Sequence, residues 1–235
     1  MRELWIGGSA RQRLSARTRT LCLKLGVTTR RRHDGFRIPL GHAAARAAVA
    51  ALRPGRVVLL TGPSGSGKST LLREIVRRLR LVGRRVAVSG ARPIPARQRV
   101  IDMPAGSLAR ALTVLGQAGL AEAGPLLRRN TDLSEGQRHR LSLALATARC
   151  RGRHAVLVAD EFAATLDRET AMGLAVSLAR WARREQFALL LATSHDDVAS
   201  WLTPDLVVTT ALDAAPDCSS HPRPRARPGR SPRGR

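Results

Sequence analysis

The feature that most constrains the fold is the segment TGPSGSGKST at residues 61–70. It follows the apolar run RVVLLTG (56–62) and precedes a stretch rich in helix-forming residues. Gly62, Gly65 and Gly67 allow the backbone to curl so that consecutive N–H groups converge on phosphate oxygens. An ordinary glycine-rich turn before a helix would leave the full spacing of the motif unexplained. The segment therefore predicts a strand, a phosphate-binding loop and a helix, in that order.

Each position of this loop has a predicted role. The predicted nucleotide contacts are Gly62, Pro63, Ser64, Gly65, Ser66, Gly67, Lys68, Ser69 and Thr70. The Lys68 ammonium is expected to reach the β- and γ-phosphates and to take part in catalysis, while the Ser69 hydroxyl is placed to ligate Mg²⁺. The start of the helix adds a partial positive charge. The loop therefore predicts binding of a nucleoside triphosphate together with Mg²⁺.

The chain around this loop alternates short apolar runs with longer helical segments, which predicts an α/β protein. The predicted strands are 56–62, 85–90, 154–160, 187–194 and 205–212, and the predicted helices are roughly 68–82, 107–120, 135–149 and 168–185. Four of the five strands are nearly continuous apolar runs, which is typical of strands buried on both faces of a parallel sheet. The predicted fold class is an α/β P-loop NTPase with a mostly parallel sheet flanked by helices.

Two other strand ends carry side chains suited to phosphate chemistry. The run VLVADEF (156–162) ends in two carboxylates, and we assign Asp160 to the metal and Glu161 to the attacking water. His195 ends the run ALLLATSH, and ligands of parallel sheets bind outside the carboxyl ends of the strands. His195 is therefore expected to hydrogen-bond a γ-phosphate oxygen or the water. The structural alternatives are a solvated acidic turn and a satisfied surface histidine.

The segment TDLSEGQRHR (131–140) has the spacing of a capping box, with Ser134 followed three residues later by Gln137. In such a box a hydroxyl and an amide satisfy free N–H groups at the start of a helix. The same helix start, with its N–H groups and positive dipole end, also suits an anion. From these residues alone, both a structural and a phosphate-binding role are open.

GPSGSGKST, LSEGQRHR, VLVADEFAATLD and ATSH occur in this order, and together they resemble the ABC-type ATPases over about residues 36–212. The resemblance implies Mg²⁺-dependent ATP hydrolysis and a short inserted helical subdomain at about 95–150. It also implies a head-to-tail dimer with a second ABC-type protomer, whose ATP would be contacted in trans by Ser134, Gly136 and Gln137. Asp167, in FAATLD, would lie in the loop that crosses the dimer interface.

Several positions depart from the family pattern. The second glycine of the family's LSGGQ signature is Glu135 here, and a carboxylate beside a γ-phosphate is repulsive unless its side chain points away. Phe162 replaces the proline that follows the catalytic glutamate. Phe36 is the nearest candidate for the adenine-stacking aromatic residue. Gln98, or else Asp102, is the nearest candidate for the family's metal-contacting glutamine.

The 235-residue chain has a formal net charge of +24, carried almost entirely by arginine. Such a charge favours polyanions such as nucleic acid, ribosomes or anionic membrane surfaces, although an arginine-biased composition with basic ends explains it equally well. Cys22, Cys150 and Cys218 show neither disulfide nor metal-ligand spacing, which predicts a reducing, cytoplasmic location. No apolar stretch approaches the roughly 18 residues of a membrane-spanning helix.

Three regions are predicted along the chain. Residues 1–35 form a basic N-terminal extension, 36–213 form the ATPase domain, and 214–235 form an arginine- and proline-rich tail. The tail contains too little apolar surface to offset the entropy of ordering it, so we predict that it is disordered.

The preferred function is a soluble ABC-type ATPase acting on nucleic acid or nucleoprotein. The basic ends support it, and so do the 66 residues from Lys68 to Ser134, a spacing shorter than expected for a transporter subunit. The alternative is the ATP-binding subunit of an ABC membrane transporter, for which a membrane partner is required. A third possibility is a nucleotide-gated clamp whose ATP-bound dimer is the functional state. A P-loop kinase would leave LSEGQ and the Asp160–Glu161 pair unexplained.

Overall fold

The structure, a computed structural model, divides the chain into two units, Met1–Arg37 and Ile38–Arg235. The residues it describes are 41–150, 152–212 and 214–220, together with Ala16, Arg17, Thr20 and Lys24. In the first unit the Thr20 hydroxyl donates to the Ala16 carbonyl, one helical turn earlier. Cys22 and Phe36 lie outside the described residues, and the second unit carries every site discussed below.

Six strands form one sheet in the order β2-β3-β4-β1-β5-β6. They are β1 (Val57–Thr61), β2 (Arg85–Val88), β3 (Ala155–Ala159), β4 (Ala188–Ala192), β5 (Leu206–Thr209) and β6 (Asp217–Ser220). The first five strands pair in parallel, and β6 runs antiparallel to β5. All five strands predicted from the apolar runs are present, and the prediction of a mostly parallel sheet is confirmed.

The described residues of the second unit contain seven α-helices. They are α1 (His42–Ala51), α2 (Lys68–Leu81), α3 (Leu108–Gln117), α4 (Ala123–Leu127), α5 (Glu135–Ala148), α6 (Arg168–Glu185) and α7 (Val198–Leu202). Short 3-10 turns occupy Val100–Asp102 and Asn130–Asp132. The four predicted helices correspond to α2, α3, α5 and α6, whereas α1, α4 and α7 were not predicted. Within the described ranges, no helix combines the length and apolarity needed to cross a bilayer.

Alternate residues of each strand are buried in two separate core layers, one on each face of the sheet. Leu60 of β1 and Leu190 of β4 lie in the layer covered by α1 and α2. Leu59 and Leu191 lie in the opposite layer, which includes the apolar faces of α5, α6 and α7. Both faces are therefore covered, and this is why the strands read as continuous apolar runs.

The strand register places the carboxyl ends of β1, β3 and β4 at the same edge of the sheet. Leu60 pairs with Ala192, and Ala159 pairs with Leu191. The N–H of Thr193, just after β4, donates to the Leu60 carbonyl at 3.0 Å. The chain segments that follow β1, β3 and β4 therefore leave the sheet along the same edge.

The start of the C-terminal tail differs from the sequence-based prediction. Disorder was predicted from residue 214, but Asp217–Ser220 form β6, so the prediction is wrong for these four residues. All four are exposed, and the strand is held by main-chain pairing with β5, for example between Val208 and Cys218. Main-chain pairing needs no apolar side chains, so composition does not reveal such an edge strand. Residues 221–235 lie outside the described residues, and the other domain boundaries stay predictions.

The central position of Leu190 leads to a stability prediction. Leu190 is completely buried between β4 and the helices of its layer. Leu190→Ala should lower the free energy of unfolding by about 2–5 kcal/mol, because it removes buried contacts and leaves a cavity. Leu81→Ala, at a side chain that is 71% exposed, should change it by less than about 0.5 kcal/mol. Urea unfolding followed by circular dichroism measures both, and equal losses would contradict the layer assignment.

Candidate active site

The segment after β1 forms a tight loop that ends at the start of α2. Gly62, Gly65 and Gly67 have φ angles of 140°, 82° and 91°, which side chains rarely tolerate. At Gly62 a Cβ atom would also lie 2.2 Å from the Thr210 carbonyl oxygen. The glycine at this position is therefore required both by the backbone conformation and by the close approach of the segment after β5.

Ser66 ties the loop to the segment after β5. Its Oγ lies 2.8 Å from the Pro63 carbonyl oxygen and hydrogen-bonds Thr210 Oγ1 at 2.6 Å. Thr210 Oγ1 is in turn 3.1 Å from the Thr61 carbonyl oxygen. Because Ser66 and Thr210 are both buried, this polar network fixes the curvature of the loop in addition to any contact that Ser66 makes with a ligand.

Lys68 is a buried cation inside this loop. Its side chain is 8% exposed, and Nζ donates to the carbonyl oxygens of Gly62 and Pro63, each at 2.7 Å. None of the ion pairs among the described residues involves Lys68. A buried ammonium without a counter-charge is costly, so the loop is prepared for an anion. A phosphate group fits this requirement.

The two carboxylates predicted at the end of β3 follow it directly. Asp160 is half-buried and Glu161 is exposed, and the Glu161 N–H donates to Asp160 Oδ1 at 3.1 Å. Glu161 and Ala163 have φ angles of 48° and 66°, in the left-handed region that non-glycine residues seldom occupy. Such strained residues persist only where the surroundings impose the conformation.

Phe162 supplies that constraint. Its side chain is completely buried, its N–H donates to the Ala192 carbonyl at 2.7 Å, and its carbonyl accepts from Thr193 Oγ1 at 3.0 Å. A proline, which the family pattern has at this position, lacks an N–H and could not make the first of these bonds. The replacement by Phe162 therefore anchors the turn between two strand ends and fills the core below it.

His195 follows β4 and is exposed. Its N–H donates to the Thr193 hydroxyl at 3.1 Å, and the same hydroxyl binds the Phe162 carbonyl. Thr193 thus links the segments that carry Glu161 and His195. The strand registers bring the phosphate loop, the two carboxylates and His195 to one edge of the sheet, as the sequence predicted.

The capping box predicted for LSEGQ is present at the start of α5. The Gln137 N–H donates to Ser134 Oγ at 3.2 Å, and the Ser134 N–H donates to Gln137 Oε1 at 3.1 Å. Glu135 is exposed in the first helical turn, where a carboxylate interacts favourably with the helix dipole. Glu135 at this position therefore stabilises the start of α5, independently of any effect on a nucleotide.

The start of α5 packs against the loop that follows β3 in the same chain. A Cβ atom on Gly136 would lie 3.1 Å from Leu166 Cδ2 and 3.2 Å from the Thr165 carbonyl oxygen. Asp167 caps α6, and the Thr170 N–H that donates to its carboxylate lowers the pKa of that carboxyl. The charge of Arg140 on α5 lowers the same pKa further.

His139 is a residue that the sequence interpretation did not single out. Burial lowers the pKa of its imidazole, and the Glu161 carboxylate acts in the opposite direction. Its Nε2 atom is covered and has no hydrogen-bond partner among the described residues. The only signal in the sequence is its position two residues after Gln137, which on a capped helix places it at the start of the second turn.

The candidates for the family's metal-contacting glutamine lie elsewhere. Gln98 Nε2 donates to the Asp102 carbonyl at 2.8 Å, and both residues lie well beyond the end of β2. The residues that directly follow β2 bind α5 instead: Ser89 Oγ lies 3.0 Å from Ser142 Oγ, and the Gly90 N–H donates to Ser142 Oγ at 2.6 Å. The structure brings neither candidate to a strand end.

The fold and the site together define a P-loop nucleoside triphosphatase. Residues 42–203 match the family model described as an AAA ATPase domain. The chain is 34% identical over 192 residues to the aliphatic sulfonates import ATP-binding protein SsuB 1 of Frankia alni, covering 75% of this chain and 70% of that protein. It is 35% identical over 203 residues to the SsuB protein of Ralstonia nicotianae, covering 75% and 68%.

A solved structure described as the dimeric structure of MJ0796, a bacterial ABC transporter cassette, has the same fold. Its TM-score is 0.58 at 18% identity, over 72% of this chain and 87% of that one. The chain belongs to the ABC-type ATPases: it binds ATP and is an ATPase.

The position of Lys68 leads to a binding prediction. Lys68→Ala should abolish measurable ATP binding, because it removes the buried cation that the phosphates would neutralise. Equilibrium binding of a fluorescent ATP analogue measures this. Arg73→Ala, an exposed residue of the same helix, should leave the affinity unchanged. Retained affinity in the Lys68 variant, with a normal unfolding curve, would rule out this role.

Proposed function

We propose that the chain is the ATP-hydrolysing subunit of an ABC membrane transporter, which works as a head-to-tail dimer on the cytoplasmic face of the membrane. The observation that carries this proposal is its similarity to relatives named as import ATP-binding proteins. Another relative, 33% identical, is the zinc import ATP-binding protein ZnuC of Paracoccus denitrificans. Because these relatives differ in cargo, the proposal names a role and no cargo.

The residues of the site fit Mg²⁺-ATP. No three His, Cys, Asp or Glu residues cluster as metal ligands within the described ranges, so phosphate oxygens would complete the shell of a metal held by Ser69 and, through water, by Asp160. When bound, the metal neutralises charge on the β- and γ-phosphates. The loop N–H groups from Gly62 to Thr70 hold the phosphates.

The chemistry then falls to three side chains. Lys68 binds the β- and γ-phosphate oxygens, and Glu161 orients and deprotonates the attacking water. His195 donates a hydrogen bond to the γ-phosphate or to the water. The hydrogen bonds of Thr193 keep the segments of Glu161 and His195 in fixed register, which supports their joint action on one phosphate.

The dimer supplies the remaining contacts. The N–H groups at the start of α5, with Ser134, Gly136 and Gln137, contact the γ-phosphate bound by the partner, and Asp167 lies in the loop at the interface. The exposure of Ser134 supports this arrangement, as does the dimeric state named for the MJ0796 cassette. Hydrolysis would then depend on association of the two protomers.

The membrane partner would bind an apolar surface on α3 and α6. Leu108 and Leu112 on α3 are 65% and 44% exposed, and Met172 on α6 is 45% exposed. The two helices contact each other, since Ser177 Oγ donates to the Gln117 carbonyl at 3.1 Å. Exposed apolar residues on two adjoining helices support a protein-binding surface.

The soluble nucleic-acid function, which the sequence favoured, rests on the basic ends of the chain and on the short spacing of 66 residues from Lys68 to Ser134. Net charge favours association with polyanions but does not identify what an ATPase drives. The named relatives support the transporter function better.

The test is co-expression with a multi-span membrane protein encoded by a neighbouring gene. The two proteins should co-purify in detergent, and the partner should stimulate ATP hydrolysis. Leu112→Glu should abolish co-purification and retain ATP binding. The control Leu81→Glu should retain both co-purification and ATP binding. Absence of co-purification, combined with DNA or RNA binding whose log affinity falls steeply with log salt, would overturn the proposal in favour of the nucleic-acid function.

Glu161 yields a prediction about turnover. Glu161→Gln should bind ATP with near-normal affinity and hydrolyse it about 10²–10⁴-fold more slowly, because the amide cannot accept the proton of water. The variant should also accumulate as an ATP-bound dimer in size-exclusion chromatography. Glu185→Gln, at the exposed end of α6, is the matched control with wild-type turnover. Near-normal turnover of Glu161→Gln would eliminate the assigned role.

Glu135 yields a prediction about association. Glu135→Gly should raise the fraction of ATP-driven dimer, because it removes a negative charge beside the γ-phosphate bound by the partner. Glu135→Gln removes the charge without adding glycine flexibility and should have the same effect. Analytical ultracentrifugation with ATP measures both variants. An unchanged dimer fraction would mean that the Glu135 side chain points away from the nucleotide.

A further inference from the structure

We propose that the base of the bound nucleotide packs against Leu212, so that an aliphatic side chain after β5 serves as the platform for the base. The proposal goes beyond the proposed function, since it concerns binding of the nucleoside and not hydrolysis or a membrane partner. It rests on one part of that function, the placement of Glu161 and His195 at the γ-phosphate.

The first argument is the direction of the nucleotide along the edge of the sheet. Strand β1 lies between β4 and β5 and is parallel to both. Glu161 and His195 follow β3 and β4, which places the γ-phosphate on that side of the phosphate loop. The nucleoside then extends to the opposite side, where the segment after β5 leaves the sheet.

The second argument is that this segment is fixed to the phosphate loop. The Thr210 N–H donates to the Thr61 carbonyl at 2.8 Å, and Thr210 Oγ1 hydrogen-bonds the buried Ser66 Oγ at 2.6 Å. Two residues further on, Leu212 Cδ2 lies 3.9 Å from the position that a Cβ atom on Gly65 would occupy. The Leu212 side chain therefore lies beside the phosphate loop.

The third argument is that Leu212 presents apolar surface at this place. The residue is 58% exposed, and Ala211 and Ala214 beside it are exposed as well. A single exposed leucine is ordinary on a protein surface, but this one adjoins a loop built to bind phosphates. Packing the apolar face of a purine on it removes both surfaces from water, and the two small neighbours leave room for the base.

The fourth argument is the position of the aromatic residues. The described ranges contain Phe162, Trp181, Phe187 and Trp201, and all four pack in or against the core layer of α5, α6 and α7. Their rings are engaged in that packing, so they do not form a platform beside the phosphate loop. Phe36, the candidate from the sequence, lies outside the described residues and enters the test as the competing platform.

The first experiment compares two ligands that share their phosphates and differ in the nucleoside. Isothermal titration calorimetry with Mg²⁺ measures the affinities of ADP, which this ATPase does not hydrolyse, and of pyrophosphate. Leu212→Ser should lower the ADP affinity about five- to tenfold, because it removes the apolar surface that the base covers. The pyrophosphate affinity should be unchanged, because no contact to a phosphate is lost.

Two controls accompany this variant. Leu127 on the short helix α4 is also 58% exposed and packs beside the 3-10 turn Val100–Asp102, so Leu127→Ser should leave both affinities unchanged. GDP should lose affinity in Leu212→Ser by the same factor as ADP. The reason is that leucine contacts the face of a purine and not the edge that distinguishes adenine from guanine.

The second experiment strengthens the contact. Leu212→Phe should raise the ADP affinity about threefold or more, since an aromatic ring stacks well on a base, and should leave the pyrophosphate affinity unchanged. A side chain that only shaped the loop would not improve binding of the nucleoside alone when it is enlarged.

Four outcomes would overturn the proposal. Equal ADP affinity in the wild type and Leu212→Ser would show that the base does not touch this side chain. An equal loss for ADP and pyrophosphate would show that Leu212 only shapes the phosphate loop. A Leu212→Phe variant that binds ADP as weakly as Leu212→Ser would exclude stacking. Loss of ADP affinity in Phe36→Ser but not in Leu212→Ser would assign the platform to Phe36.

Failure of this proposal is distinguishable from failure of the proposed function, because the affinities are measured without hydrolysis and without a membrane partner. If Glu161→Gln has wild-type turnover while Leu212→Ser loses ADP affinity selectively, the role of Glu161 fails and the contact with the base stands. If Glu161→Gln is slow and Leu212→Ser binds ADP normally, Glu161 keeps its role and Leu212 does not contact the base.

Discussion

The alignment of three parallel strand ends is the constraint on which the rest of the structure depends. The hydrogen-bond register of β4 with β1 and β3 sets Leu60, Ala159 and the β4 residues Leu191 and Ala192 at one edge of the sheet. The side chains assigned to chemistry lie in three segments that are far apart in the sequence, after β1, β3 and β4, and this register brings those segments together. Helices cover both faces of the sheet, so a slip in register would disrupt two core layers at once. The packing of the core therefore also fixes the positions of the site segments.

Phe162 anchors the strained turn that follows β3. Two left-handed residues, Glu161 and Ala163, flank a side chain that is completely buried. The main chain of Phe162 is held by Ala192 and by the Thr193 hydroxyl at the end of the neighbouring strand. Burial and hydrogen bonding therefore offset the cost of the backbone conformation, and they fix the direction in which Glu161 leaves the sheet.

The sequence was sufficient for the features whose cause is local or periodic, and insufficient where the cause is a contact between distant segments. Continuous apolar runs identified β1 to β5, and the capping box at Ser134 and Gln137 followed from their spacing alone. The strand β6 was missed because main-chain pairing with β5 stabilises it, and polar composition carries no trace of that pairing. His139 was missed because its surroundings are created when α5 packs on the loop after β3, more than twenty residues away in sequence.

That packing has a consequence for how a dimer of this chain would use its signature loop. Gly136 leaves little space for a side chain, because a Cβ atom there would lie 3.1 Å from Leu166 Cδ2 and 3.2 Å from the Thr165 carbonyl oxygen. In the proposed dimer the start of α5 contacts the partner's γ-phosphate, while the loop after β3 begins with the chain's own Glu161. In that dimer the contact of Gly136 with Thr165 and Leu166 would therefore join the segment on the partner's nucleotide to the segment that carries the chain's own catalytic carboxylate.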